Sequence, residues 1–532
     1  MPDNTTLPAI AALARAGAVG RGWDLFVAGG HDQRSGDPAA LAVKGRLLKG
    51  QARLVAGAEQ SPRFAAAALA YAAANAIAPA PYLAINAATL QLLAGDADGA
   101  KDAAAAVLAL LDAPEQPADT LYFLAATRAE AWLLLGDQAA AETALANAAH
   151  ADPDGWSDRA ATVAQLREIA AAQGSDPGWI ARFAPPGSLH FAGHMGLVSG
   201  GSGEAALTAA LDHYFAEHPA GFGWGALAAG ADIVIAEQLL AHGAELHVVL
   251  PCPPEQFEAQ SVEPAGTAWT TRYRALLSAA ASMRYAGQLV TSVHDPLATA
   301  HAGELAIGGA LINAAILASS AAQLIVLDEV GGGQNTARQA LLWRASSGPQ
   351  HCLTVSRDVQ IEALFPPEQP DPARVLAVHL AVMLDALAAD PPPQDISALT
   401  APITALLAAA PPGTVSAVPG RWSITLTALD QALGLAARLA ALGTLSVGLH
   451  LAIGTVVRDP ASGLLVPYGP GPELARRLAR LAPPGVTLAS DALAVTLAAR
   501  GSTVMRSELY HPGDAELGGA VHALTAVTPA NA

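Results

Sequence analysis

Three glycine-rich runs carry the clearest chemistry in this sequence. Gly200-Gly201-Ser202-Gly203, Gly223-Trp224-Gly225 with Gly230, and Gly331-Gly332-Gly333-Gln334-Asn335-Thr336 each separate an apolar, strand-like run from a helical segment. Amide N–H groups left free at a helix start, with the positive end of the helix dipole behind them, form a cradle for phosphate. The three runs are unequal. Glu204 places a negative charge in the first turn of the helix after the first run, whereas the third run is followed by Arg338 and no acid. An anion is therefore expected at Gly331, Gly332, Gly333, Gln334, Asn335 and Thr336, with Asp328 or Glu329 available to a ribose hydroxyl. Gly225 and Gly193 complete the expected ligand-binding set. Glycines that merely permit tight strand-to-helix turns would leave the same pattern.

Other constellations are weaker. His190 and His194 lie four apart on a strand, hence on one face, but no nearby Cys or carboxylate completes a metal set, and no metal site is expected. Ser199 and Ser202 lack the Gly-x-Ser-x-Gly spacing of a nucleophile elbow. Asp212-His213 and His294-Asp295 have no assigned nucleophile, and Trp132, Trp343 and Trp422 read as core.

Three blocks must position these residues, divided by proline-rich seams near residues 184–187 and 365–372: residues 1–184, 185–365 and 366–532. The first is helical. Its apolar residues recur at helical spacing, and LLAGD and LLLGD, 41 residues apart, end helices at Gly95-Asp96 and Gly136-Asp137, which suggests helix pairs stacked as a solenoid. The second alternates strands, expected at 188–192, 221–227, 245–250, 323–327 and 352–355, with helices that include 272–285 and 304–317. That alternation means a parallel sheet whose ligands sit at the carboxyl ends of its strands. The third reads as α+β. Residues 305–327 are uncharged over the length of a membrane span, yet the run holds Asn313, Ser319 and Gln323 and ends in a β-branched stretch, so it reads as a buried helix feeding a central strand.

Composition narrows the function classes. Of 532 residues only 14% are charged and 52% are hydrophobic, but aromatics are 5%, so alanine supplies much of the apolar fraction and closely packed helices fit better than a membrane protein. A net charge of −18 disfavours a general grip on nucleic acid or anionic lipid. Two cysteines, Cys252 and Cys352, make no disulfide framework, and the N-terminus lacks a basic signal region. A cytoplasmic location is expected.

Residues 225–251 and 323–348 resemble the SLOG superfamily of Rossmann-like nucleotide-binding domains, which includes the LOG enzymes and the DprA proteins. LOG enzymes carry Gly-Gly-x-Gly-Thr-x-x-Glu, whose glutamate serves in N-glycosidic hydrolysis. Here Thr336 is followed three positions later by Gln339, and a neutral amide is no general base. The resemblance implies nucleotide binding and weakens hydrolase activity. KGRLLKGQARL (44–54), INAATLQLLAGD (85–96) and ATRAEAWLLLGD (126–137) resemble the TPR-S helical module of bacterial signalling and conflict-type proteins, which implies protein-partner docking.

Residues 445–494, with 374–387 and 418–427 upstream, resemble the class III adenylate/guanylate cyclase domain. Those enzymes need two aspartates to hold two metal ions. The aligned positions are Leu380 and Arg421, neither of which can ligate Mg²⁺. The transition-state asparagine position falls on Glu473, and the arginine position is kept as Arg477. The resemblance thus implies a degenerate cyclase-like module for regulation or homodimerisation, or a metal-free half contributing Arg477 to an active partner. The expectation is a multidomain regulatory protein whose Rossmann-like domain binds a nucleotide or nucleotide-derived ligand. The alternatives are cleavage of a nucleotide N-glycosidic bond, a half-cyclase, and a scaffold without a ligand.

Overall fold

In the computed structural model the described residues are 6–15, 18–113, 119–329, 333–346, 348–359, 370–384, 393–409, 414–460, 463, 465–502, 505–514 and 516–526. They form two compact units: Met1–Pro185 with Ile316–Ala318, and Pro186–Ala315 with Ser319–Ala532.

The first unit is built of helices joined by short turns. The Gly-Asp pairs show how. Gly136 ends the helix Leu121–Leu135 in the left-handed region (φ 86°), and Gly95 (φ 94°) does the same after Pro81–Leu93. The aspartate that follows caps the next helix: Asp96 accepts from Gly99 N (2.9 Å) and Asp137 from Ala140 N (2.9 Å). One dipeptide therefore stops one helix and starts the next. Alanines 88, 104, 129, 131, 141 and 144 are buried among Leu, Ile and Val side chains, so the helices approach closely.

The second unit holds two sheets. Strands β1 (Gly187–Gly193), β2 (Ala220–Gly225), β3 (Glu245–Leu250), β4 (Ser282–Tyr285), β5 (Ala321–Leu327) and β6 (Gln350–Thr354) form a parallel sheet in the order β4-β3-β2-β1-β5-β6. The order reverses between β1 and β5, which creates the crevice where ligands of such sheets bind. The uncharged run resolves into the helix Pro296–Ile316 followed by β5, and among the described residues no helix is long and apolar enough to cross a membrane. The helix expected over 272–285 ends earlier: it spans Thr267–Ala279, and 282–285 instead pair with β3 as the edge strand β4. Four residues are too few for periodicity to separate helix from strand.

The mixed sheet contains β7 (Arg374–Met383), β8 (Thr414–Val418), β9 (Arg421–Leu426), β10 (Ser446–Arg458), β11 (Leu465–Tyr468), β12 (Thr487–Ser490), β13 (Met505–Asp514) and β14 (Gly519–Ala526). Its order is β13-β14-β12-β10-β7-β9-β8, with β11 paired to β10. Alternation along β7 divides its side chains. Val378, Leu380 and Val382 enter the main core with Leu433 and Leu435 of the helix Leu429–Ala440, whereas Ala381 and Met383 pack on Ala475 and Ala479 of the helix Gly471–Leu481. The helix Pro296–Ile316 joins the two sheets' surroundings. Gly309 lies against the Trp224 ring of β2, and Gly308 against the backbone of Val495 in the helix Asp491–Ala499. Arg500 adds two bonds of 3.0 Å to Glu304, and Arg284 on β4 is paired with Asp491.

Candidate functional site

The three glycine-rich turns meet different fates. At the first, which leads into the helix Ser202–Glu217, Asp358 occupies the cradle: Oδ2 accepts from Val198 N (2.9 Å) and Oδ1 from Gly203 N (3.2 Å). Glu204 accepts from Gly200 N (2.7 Å) and pairs with Arg272 (2.8 Å). The chain fills this anion site itself. At the second, Gly230 (φ 122°) opens the helix Ala231–Ala241, and the buried Asp232 carboxylate accepts from Gly193 N (2.7 Å) and Ala228 N (3.3 Å). The third turn differs. Gly333 precedes the helix Gln334–Trp343, and among the described residues no carboxylate accepts from the amides of Gln334, Asn335 or Thr336.

A cavity of about 280 Å³ lies at the carboxyl end of β1, beside this open turn. Its walls combine Gly193, His194 and Met195 after β1, Asp232 at the second turn, Gly333, Gln334, Asn335, Thr336 and Gln339 at the third, and Thr299, Ala302, Gly303 and Ala306 of the helix Pro296–Ile316. Apolar contact comes from Val249, Phe257 and Val293. Gly193 has a steric reason to be glycine. A Cβ there would run into Ala231 and come within 3.3 Å of Val326 Cβ, so the strand end and the helix start can meet only without one.

Two lining groups lack hydrogen-bond partners among the described residues. Asn335 Oδ1 and Arg357 Nε are buried and make no hydrogen bond, although Arg357 Nε stands 3.8 Å from Asp328 Oδ2. At that distance the pair is electrostatic, and the N–H still needs an acceptor. Buried polar atoms are ordinarily satisfied. A donor and an acceptor left open on one cavity are what a polar ligand would complete. Burial pushes the Asp232 carboxyl up to about 7, against the stabilising N–H groups of Gly193 and Ala228, so it can bind or release a proton near neutrality.

Gln339, at the position of the LOG glutamate, is tied into a buried network. Its Oε1 faces His190 Nε2 (2.9 Å), while His190 Nδ1 meets Gln323 Nε2 (3.0 Å). Burial lowers the His190 pKa to about 4, so the ring is neutral. Its Nε2 then carries the proton and donates to Gln339, and Nδ1 accepts from Gln323. His194 is separately held by the carbonyls of Met195 (2.9 Å) and Val355 (2.8 Å). Among the described residues no group of three His, Cys, Asp or Glu could hold a metal ion.

Of the residues singled out from sequence, Gly193, Gly333, Gln334, Asn335 and Thr336 come together on the cavity. Gly225 stands at the end of β2 against the Phe191 ring. Asp328 and Glu329 are engaged beyond the lining: Asp328 Oδ1 accepts from Arg357 N (3.3 Å), and Glu329 from Ser356 Oγ (3.0 Å). Gly331 and Gly332 lie outside the described residues. Sequence reasoning missed Asp232 and Arg357. An acid two residues after Gly230 was the only local signal for the first, and nothing local marked the second.

On the mixed sheet, Leu380 is turned into the core, away from Arg421, and Ala381 and Met383 face the helix Gly471–Leu481. A second cavity, of about 240 Å³, gathers Ala381, Met383, Arg421, Trp422, Arg476 and Arg480. Three guanidiniums, with no lining carboxylate among the described residues, do not fit a divalent metal. Arg477 is held by Glu473 (3.5 Å) and by the carbonyl of Glu516 (2.9 Å).

No family model and no curated protein matches the chain. Solved structures of nucleotide cyclase domains match about three-tenths of it. The guanylyl cyclase domain of the RhoGC fusion protein from the aquatic fungus Blastocladiella emersonii is 9% identical, covering 29% of this chain and 97% of that one at a TM-score of 0.24. An adenylate cyclase from Trypanosoma brucei is 14% identical, with 31% and 95% covered and a TM-score of 0.25. The adenylyl cyclase CyaB from P. aeruginosa is 13% identical, with 29% and 95% covered and a TM-score of 0.23.

Proposed function

We propose that the parallel-sheet domain binds a nucleotide or nucleotide-derived ligand at the β1/β5 crevice, within a regulatory protein whose cyclase-like domain does not cyclise nucleotides. The observation that carries this reading is the pair of unpartnered buried groups, Asn335 Oδ1 and Arg357 Nε, beside the one glycine-rich turn whose described amides no carboxylate fills. The amides and Arg357 suit phosphate, and the apolar wall of Val249, Phe257 and Val293 suits a base. The test is a calorimetric screen of nucleotides, NAD and cyclic nucleotides against wild type, Asn335→Ala and Thr336→Ala. Absence of any ligand, or equal binding by all three proteins, removes the reading.

The cyclase-like domain is assigned regulation or homodimerisation because the face that gathers Ala381, Met383 and Arg421 offers no carboxylate among the described residues to hold a metal ion. Cyclic AMP formed from ATP by the purified chain with Mg²⁺ or Mn²⁺ would overturn that part. The helical unit is assigned to docking of a protein partner, for which Leu69 (71% exposed) and Leu121 (74% exposed) offer apolar contact. A second reading, cleavage of a nucleotide N-glycosidic bond, is favoured by Asp232. A cavity carboxyl with a pKa of about 7 is suited to general acid or base work even though Gln339 is not. Release of free base by wild type and its loss in Asp232→Asn would select this reading.

A further inference from the structure

The helical unit contains a larger cavity, of about 680 Å³, whose charges are unevenly matched. Arg46, Lys49 and Arg53 project into it from one face of the helix Pro38–Arg53, at helical spacing. Arg53 has its carboxylate: two bonds, of 3.1 and 2.6 Å, reach Glu168. Arg46 and Lys49 do not. Arg46 donates to the Tyr82 hydroxyl (2.7 Å), and Lys49 to the amide oxygens of Gln165 (3.0 Å) and Asn86 (3.4 Å). Among the described residues no carboxylate lies within 4 Å of either cation, nor of Arg15, which also lines the cavity.

Cations withdrawn from water are ordinarily paired, because desolvation without a counter-charge is costly. The acids of this cavity do not supply that pairing. Glu130 is buried behind Gln165, whose amide donates to it (3.1 Å), and burial raises its pKa to about 7. Asp119 accepts from Thr120 N (2.8 Å), and Asp158 makes no ion pair among the described residues. Lys49 is pushed the opposite way, down to about 8, by burial and then by Arg53, with Glu168 and Glu130 opposing. Both members of this cation and acid set are thus held toward neutrality.

We propose that this cavity holds the doubly charged head of a small organic phosphate, gripped by Arg46 and Lys49 with Arg15 at the rim and the Tyr82 hydroxyl beside it. A guanidinium fork and a point-charge ammonium match a phosphate's several oxygens. The volume far exceeds that of a bare ion, and the partly exposed rings of Tyr82 and Phe123 give the organic part an apolar seat. This site is separate from the parallel-sheet cavity and independent of the reading given for it.

The chain has three lysines, Lys44, Lys49 and Lys101. Reductive ¹³C-methylation of the full chain therefore gives a sparse NMR spectrum, in which Lys49→Arg identifies one signal. The probes are ribose 5-phosphate and inorganic pyrophosphate, with succinate and a short acidic peptide as competing chemistries. The Lys49 signal is expected to shift saturably with either phosphate and to titrate at higher pH when phosphate is bound. Affinity should fall between pH 7 and 9, as Lys49 and Glu130 lose their protons. Arg46→Gln should weaken binding about tenfold, and Arg46→Lys, which keeps the charge but not the fork, by about threefold. The second variant decides the matter if the first does not fold. A Lys49 signal indifferent to both phosphates overturns the proposal. An equal response to succinate or to the peptide, or phosphate affinity unchanged in Arg46→Lys, also overturns it.

Discussion

At the first and third glycine-rich turns of the parallel sheet the backbone presents the same groups, amide N–H donors at a helix start, and the chain treats them in opposite ways. Asp358 and Glu204 accept from the first, while the described residues of the third line a cavity on which Asn335 Oδ1 and Arg357 Nε have no hydrogen-bond partner among the described residues. Only a glycine-rich turn from which the fold withholds its own carboxylate is left free to take an anionic ligand. Asp358 is 155 residues from Gly203, so local sequence could show Glu204 but not the residue that closes the cradle.

Substitutions at four positions separate the turns experimentally. The largest effect is expected from Gly193→Val, which forces a branched side chain into Ala231 and Val326 at the shared wall of the second turn and the cavity. Overpacking of this kind should cost about 3 kcal/mol, read as a lowered denaturation midpoint, and should abolish ligand binding. Wild-type stability would contradict the close approach.

Asp232 comes next. Its folded pKa, about 7, lies above that of an unfolded aspartate, so between about pH 4 and 7 the folded state binds the extra proton and stability falls as pH rises, levelling off above 7. Over that window the loss should be about 2–4 kcal/mol, and Asp232→Asn should flatten it. A denaturation series across pH that is unchanged in the variant would show that Asp232 is not the titrating group.

A smaller effect is expected for Asp358→Ala, about 1–2 kcal/mol, because the donors it leaves bare are partly solvated. The informative part is the rescue. Phosphate should stabilise the variant more than wild type, since the emptied first turn now resembles the third. Asn335→Ala should change the unliganded stability least, by about 0.5 kcal/mol or less, because its Oδ1 has no partner among the described residues to lose.

Much of the sheet was legible in the sequence. Near-continuous apolar runs marked β3 and β5, which are buried over most of their length, and the Gly-Asp pairs marked helix ends because glycine alone takes that turn readily. The short edge strand β4 was not legible, since four half-exposed residues follow directly on a helix. At the site, the glycines and Asn335-Thr336 could be singled out because a turn is a local event. Asp232, Arg357 and the tie between His190 and Gln339 depend on which strands neighbour β1, a long-range fact. The mixed sheet adds a subtler case: Leu380 and Ala381 are adjacent in sequence, yet the pleat sends one to the core and the other to the Arg421 cavity.

Calorimetric titration of nucleotides into wild type and Asn335→Ala decides whether the third turn is a nucleotide site. The expected result is saturable binding of at least one nucleotide by wild type and at least about tenfold weaker binding by the variant, given the polar group removed from a buried contact. No nucleotide binding by wild type, or equal affinity in the two proteins, would contradict it.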